Sequence, residues 1–183
     1  MTSQPTRLYV DSRSHSDKAR RALWHVTRSL LFAPLRGPLF KRWRLFLLRS
    51  FGATIGKGCR VDASCKIWWP GNLRMGNYAC LADAVDCYNV APITLGDYAT
   101  VSQRSFLCSA SHATDQLSRP LIFAPITLET HAWVGAEAFV GPGVTIGEGA
   151  VLGARAVATR NLESWTIYAG IPARALRKRE IRE

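Results

Sequence analysis

The sequence predicts a mainly β chain in which very short parallel strands wind into a stack of about five coils, with a short helical region before it and a short basic helix after it. Three observations predict it. Aliphatic residues recur every six positions through Leu128, Val134, Val140, Ile146, Leu152 and Ala158, and small or apolar residues hold a second register two positions earlier, from Ile126 to Ala156. Glycine follows four of these aliphatics directly, at Gly135, Gly141, Gly147 and Gly153, where the chain must turn a corner and a Cβ would be unfavourable. Upstream the same spacing gives three triplets: Ile55, Val61 and Ile67; Met75, Leu81 and Cys87; Leu95, Val101 and Leu107. One such coil cannot bury its own aliphatics, whereas stacked coils share a continuous narrow core whose ends need caps. A β-sandwich with glycine-rich turns would not keep a six-residue register.

Residues 1–50 read as a basic helical cap, with helix-like stretches over residues 16–32 and 40–51 separated by Pro34, Gly37 and Pro38. Leu23, Val26, Leu30 and Leu31 fall at helical spacing. Residues 51–170 hold the coils, interrupted by a loop over residues 108–127, and residues 171–183 form a basic tail that begins at Ile171-Pro172.

The chain has 183 residues, enough for one well-buried domain, and its 48% hydrophobic content excludes a disordered chain. The net charge of +11 is concentrated at the ends: residues 1–50 carry +9 and residues 174–183 carry +3, leaving the coils near neutral at −1. A nucleic-acid binder would place its basic stripe on the folded body, so none is expected. The five cysteines show neither CxxC nor Cys/His metal spacing, no signal peptide is visible, and the apolar runs LLFAPL and LFLL fall far short of a bilayer span. A reduced, cytoplasmic protein is expected.

The chemistry should lie in the loop, because segments extruded from rigid scaffolds commonly carry catalytic groups. His112 is the loop's histidine, and imidazole is the side chain best suited to take and return a proton near neutral pH. Asp115, three residues on, is a candidate to orient it or to meet an acceptor. Moving an acyl group from a thioester to a hydroxyl needs that base, alignment and an oxyanion donor, and no metal.

The hexapeptides resemble the hexapeptide-repeat acyltransferases, which implies a left-handed parallel β-helix, a known exception to right-handed crossovers. The stretch AWVGAEAFVGPGVTIGEGAVLGARAVATRN followed by YAGIPARALRKR is similar to the coenzyme A-binding region of that family. The resemblance implies acetyl-CoA as donor and His112 as general base. It implies that Trp133, Gly135 and Ala136 line the pantetheine channel, that Gly153 and Ala154 lend backbone contacts, and that Thr159 and Arg160 lie toward the nucleotide with Pro172 and Arg174. Arg160, Arg174, Arg177 and Lys178 would meet phosphates, for which guanidinium forks are well matched. Arg179 and Arg182 read as a solvated helix face. Asp86 and Asn89 resemble the position that contacts an acceptor sugar, with turn formation as the other reading of Asn89.

Over residues 20–179 the chain resembles the acetyltransferases of colanic-acid and other exopolysaccharide biosynthesis, except that Trp68-Trp69-Pro70-Gly71-Asn72-Leu73 stands where Pro-Trp-Asn-Leu is expected. The resemblance further implies a homotrimer with active sites between subunits. The basic, aromatic-rich residues 16–50 fit either a cap on the first coil or a contact with an anionic inner-membrane surface. The rivals are an antibiotic or other small-molecule O-acetyltransferase of the same superfamily, a non-catalytic scaffold, and a zinc enzyme of the γ-carbonic-anhydrase kind. The last needs three histidines, and only His112 and His131 lie in the repeat. Serine acetyltransferase would need a larger helical domain than 50 residues.

Overall fold

A computed structural model describes residues 14–181; Arg182 and residues 1–13 of the cap lie outside the described residues. Strands of two to four residues stack in parallel into three sheets, the faces of a triangular prism. Face A runs from Thr54–Ile55 to Thr145–Ile146, face B from Arg60–Val61 to Thr166–Ala169, and face C from Lys66–Ile67 to Val157–Ala158. Ile55 pairs with Met75, Val61 with Leu81 and Ile67 with Cys87, so each triplet sits on the next in the predicted register. From Ile126 to Ala158, the residues of both six-residue registers are at most 1% exposed. A partial sixth turn follows the five coils: Leu162 bridges Ile146, and Thr166–Ala169 pairs with Val151–Leu152.

The glycines after the aliphatics serve close approach between coils rather than an unusual backbone conformation. A Cβ on Gly135 would sit 2.6 Å from the Ala154 nitrogen and 2.8 Å from the Leu152 oxygen, whereas on Gly141 the nearest atom is 3.4 Å away. The left-handed corner positions are held by other residues: by Gly58, Gly143 and Gly149 at three corners, and elsewhere by residues with side chains. Tyr78, Tyr98 and His131, at φ of 57–59°, stack their rings 5.1 and 4.9 Å apart up one corner.

The N-terminal region caps the first coil by satisfying its backbone. In the stack, each coil's carbonyls accept from N–H groups of the coil before: Gly56 donates to Met75, Asp62 to Leu81 and Trp68 to Cys87. The first coil has no predecessor, and its own carbonyls at Ile55, Val61 and Ile67 would be orphans. Helix α1 (His15–Thr27) and helix α2 (Lys41–Ser50) supply the donors. Arg49 Nη2 donates to Ile55 at 2.8 Å, Arg44 Nε to Val61 at 3.1 Å and the Trp24 indole to Ile67 at 2.7 Å. Arg28 Nε adds a bond to the Cys65 carbonyl at 3.2 Å. The bonds to Val61 and Ile67 are buried, and each removes a penalty of about 1–3 kcal/mol for an unpaired buried group. Trp24, Phe32, Leu47 and Leu48 fill the open end of the core, and Ser14 caps α1 by accepting from the Asp17 N–H.

The tail differs from the expected basic helix. Arg174–Lys178 is a strand that turns back antiparallel onto Thr166–Ala169. Its alternative as a helix would have left the edge of face B open, and edge strands seek partners. Arg179 is likewise no solvated helix residue: its Nη1 donates to the carbonyls of Gly149 at 2.9 Å and His131 at 3.1 Å.

Candidate active site

The expected loop is an ordered hairpin. The coil strand Phe106–Cys108 ends on face C, and Ile126–Leu128 resumes on face A. Between them Ala110–His112 pairs antiparallel with Leu121–Phe123, His112 opposite Leu121. Ser109, fully buried, roots the hairpin: its hydroxyl donates to the Tyr88 carbonyl at 2.9 Å and accepts from the Ala91 N–H at 2.9 Å. Sequence reading missed Ser109, because one serine among several in a polar stretch carries no signal of burial.

His112 projects from the hairpin into solvent, and its Nδ1 lies 2.6 Å from the Arg119 carbonyl oxygen. A carbonyl only accepts, so Nδ1 carries the proton, and in the neutral ring Nε2 is then the acceptor. That is the tautomer a general base needs. The orienting partner is thus a backbone carbonyl across the hairpin. Asp115 is exposed near the tip, and Nδ1 points to Arg119 instead.

Asp86 lines a cleft of about 270 Å³ with His25, Arg28, Lys66, Trp68 and Tyr88, where α1 passes over face C. Lys66 Nζ stands 3.8 Å from its carboxylate. Burial nevertheless pushes the Asp86 carboxyl above its ordinary value, against the pull of Lys66 and Arg28. Trp68 and Tyr88 meet edge to face at 4.8 Å and give the cleft an aromatic wall. Asn89 belongs to the scaffold: it is fully buried, accepts from the Trp69 N–H at 3.0 Å and donates to the Trp69 carbonyl at 2.7 Å. It faces the preceding coil, with both polar atoms committed there.

The donor residues fall in separate places on one chain. Thr159, Arg160 and Arg174 share a pocket of about 170 Å³, at the corner where face C leads to face A. Trp133 stands on face B, 45% exposed, its indole donating to the Ser102 hydroxyl at 2.9 Å. Gly135 and Ala136 turn from face B to face C, and so do Gly153 and Ala154 one coil later; the Arg155 N–H donates to the Ala136 carbonyl at 2.8 Å. Pro172 follows a cis peptide bond. Arg177 and Lys178 are exposed on the returning strand, and Lys178 Nζ bonds the Thr166 hydroxyl at 2.9 Å. The turns at Gly135 and Gly153 and the His112 hairpin therefore occupy opposite edges of face C. An ion-pair ladder on the first of these edges was not foreseen: Glu137 binds Arg104 and Arg155, each at 2.6 Å. The residues are neighbours only through the coil repeat, at spacings of 33 and 18 positions.

Comparison with known proteins agrees with this architecture. The family model described as the hexapeptide repeat of succinyl-transferase matches residues 125–158. WcaF of Escherichia coli (strain K12), provisionally named as a colanic acid biosynthesis acetyltransferase, is 39% identical over 157 residues that cover 86% of each chain. A hexapeptide-repeat acetyltransferase of Vibrio cholerae O1 biovar eltor, solved with acetyl coenzyme A, superposes with a TM-score of 0.83 at 25% identity, covering 94% of each chain. A maltose O-acetyltransferase from Clostridium difficile 630 shares the fold at a TM-score of 0.83 and 23% identity, over 92% of this chain and 90% of that one. The prism is a left-handed parallel β-helix.

Proposed function

The chain belongs to the hexapeptide-repeat acetyltransferases, and on that premise we propose that it transfers acetyl from acetyl-CoA to a hydroxyl of a saccharide in exopolysaccharide biosynthesis, with His112 as general base. The observation that carries the reading is the 2.6 Å bond from His112 Nδ1 to the Arg119 carbonyl, which fixes the basic tautomer on an ordered hairpin. The relatives support the donor and the pathway: one is solved with acetyl coenzyme A, another is named for colanic acid biosynthesis.

In this reading His112 Nε2 takes the proton of the acceptor hydroxyl as its oxygen attacks the thioester carbonyl. The tetrahedral intermediate collapses, the carbon–sulfur bond breaks, and the imidazolium returns the proton to the departing sulfur. Thr159, Arg160, Arg174, Arg177 and Lys178 are the groups for the donor's nucleotide and phosphates, and Trp133, Gly135, Ala136, Gly153 and Ala154 for its pantetheine arm. Asp86 and the Trp68/Tyr88 wall are the surface for the acceptor, since a carboxylate beside aromatic rings suits the hydroxyls and C–H face of a sugar.

We place the complete site between subunits of a homotrimer. Support comes from the position of His112 and the turns at Gly135 and Gly153 on opposite edges of face C, and from the hairpin's exposed apolar side chains, Leu117 at 90% and Phe123 at 61%. A neighbouring prism would cover them and bring one chain's histidine to the next chain's donor groove. The five cysteines are free thiols, which suits a reducing cytoplasm.

The test is thiol release from acetyl-CoA by wild type and His112→Ala, with nucleotide sugars and polysaccharide fragments as acceptors. An acceptor-stimulated rate that the substitution lowers roughly 100-fold or more is the expected result. Equal rates would remove His112 from the mechanism, and absence of coenzyme A binding would remove the transferase reading for this chain.

A further inference from the structure

The cap's inner face explains Trp24, Phe32, Arg44, Leu45, Leu47 and Leu48, all buried, yet its outer face is apolar as well. On and beside α1, Leu23, Val26 and Leu30 are 60, 55 and 66% exposed. Leading into and along α2, Leu39 is 89% exposed and Phe46 57%, with Trp43 stacked on Phe46 at 5.6 Å. The two rows meet, because the Trp43 indole donates to the Leu31 carbonyl at 2.9 Å. At Leu23 the surface opens into a cleft of about 530 Å³, walled by Arg20, Phe51, Gly52, Trp69 and Gly71. Water-facing helices ordinarily turn polar side chains outward, and a continuous apolar outer face marks an interaction surface.

The charge around it selects the partner. Asp17 is the single acid among residues 14–50, against nine Lys and Arg. Arg28, Arg44 and Arg49 are used inward on the first coil's carbonyls. Arg20, Arg36 and Arg42 are exposed around the apolar rows. No helix of the described residues is long and apolar enough to cross a membrane. An apolar face with aromatic anchors, rimmed by cations, is the pattern of a helix pair lying in the plane of a bilayer, apolar rows among the upper acyl chains and cations at the headgroup phosphates.

We propose that the outer face of the cap is a docking surface for an anionic lipid bilayer, so that one helix pair closes the β-helix on its inner side and holds the enzyme to a membrane on its outer side. This inference is independent of the acceptor's identity and of the role of His112.

The experiment is flotation of the full chain with vesicles of phosphatidylethanolamine and phosphatidylglycerol, and separately of phosphatidylcholine alone. Wild type floats with the anionic vesicles and much less with the neutral ones. Arg36→Gln with Arg42→Gln lowers the partition roughly thirtyfold, at about fivefold for each basic residue near an anionic surface. Leu39→Ser with Phe46→Ser abolishes flotation while the thermal melt and the thiol-release rate with a soluble acceptor stay at the wild-type values, since both side chains face out. Three outcomes overturn the proposal: wild type that stays unbound, flotation indifferent to the Leu39 and Phe46 substitutions, or a fall in the mass measured by light scattering on those substitutions, which would give this face to a second copy of the chain.

Discussion

The imidazole of His112 and the peptide carbonyl of Arg119 are joined across the hairpin by a 2.6 Å hydrogen bond, at a residue whose own φ is +46°. A left-handed residue just before Pro120 thus aims the oxygen that orients the ring. Glycine adopts this conformation freely and proline, fixed near −65°, cannot. Arg119→Gly should keep kcat within about twofold, whereas Arg119→Pro should lower it by about tenfold or more, near 1.4 kcal/mol, with KM for acetyl-CoA unchanged. Steady-state kinetics of the two variants checks this, and equal kcat values would remove the carbonyl from any positioning role.

Trp24 fills the open end of the prism and donates to the Ile67 carbonyl. Trp24→Phe keeps much of the packing and leaves that carbonyl orphaned, a loss of about 1–3 kcal/mol. Trp24→Ala also opens a cavity, for about 3–5 kcal/mol. Denaturant unfolding should rank wild type above Phe above Ala.

Adding one carbon should be felt very unequally at two glycines of the same repeat position. Gly135→Ala drives a Cβ into backbone atoms of the neighbouring coil at 2.6–2.8 Å and should destabilise by about 1–3 kcal/mol. Gly141→Ala has its nearest contact at 3.4 Å and should fall within about 1 kcal/mol of wild type, in either direction. Melting curves of the pair decide it.

Glu137 accepts from Arg155 and Arg104, and those bonds hold its carboxyl below the ordinary glutamate value of 4.5. A carboxyl whose folded value is depressed stabilises the fold above its unfolded value and stops doing so as pH falls through the folded one. Glu137→Gln should therefore melt lower than wild type at pH 7, with the difference closing as the pH drops below 4.5 toward the depressed value. A difference independent of pH would mean that the ladder acts through packing alone.

Burial pushes the Cys65 thiol up to about 12 and raises Cys87 as well. Both side chains are core, fully enclosed. A thiol reagent at pH 8 should leave both unmodified in the native protein and react with them only after denaturation, as mass spectrometry of digested samples would show.

The order of these elements was legible in the sequence because a coil solenoid is nearly one-dimensional. Leu128, Val134 and Val140 occupy three faces in turn, and a six-residue spacing alone assigns each to its face and to the core. The insertion that carries His112 was legible for a similar reason, as the segment that breaks the spacing. The tail was misread because ARALRKREIRE has helical composition, while the unpaired edge of Thr166–Ala169 offers a full row of hydrogen bonds that local propensity does not encode.

The sequence by itself determined the register, the coil boundaries, the place of the insertion and the family, all of which depend on residues close along the chain. Tertiary structure alone decided the rest: that Arg49, Arg44 and Trp24 answer the orphan carbonyls of Ile55, Val61 and Ile67, that Asn89 serves Trp69, and that Arg119 orients His112. The physical reason is that backbone groups look alike in every sequence. Which of them lack a partner follows from where the stack ends and how the hairpin folds back.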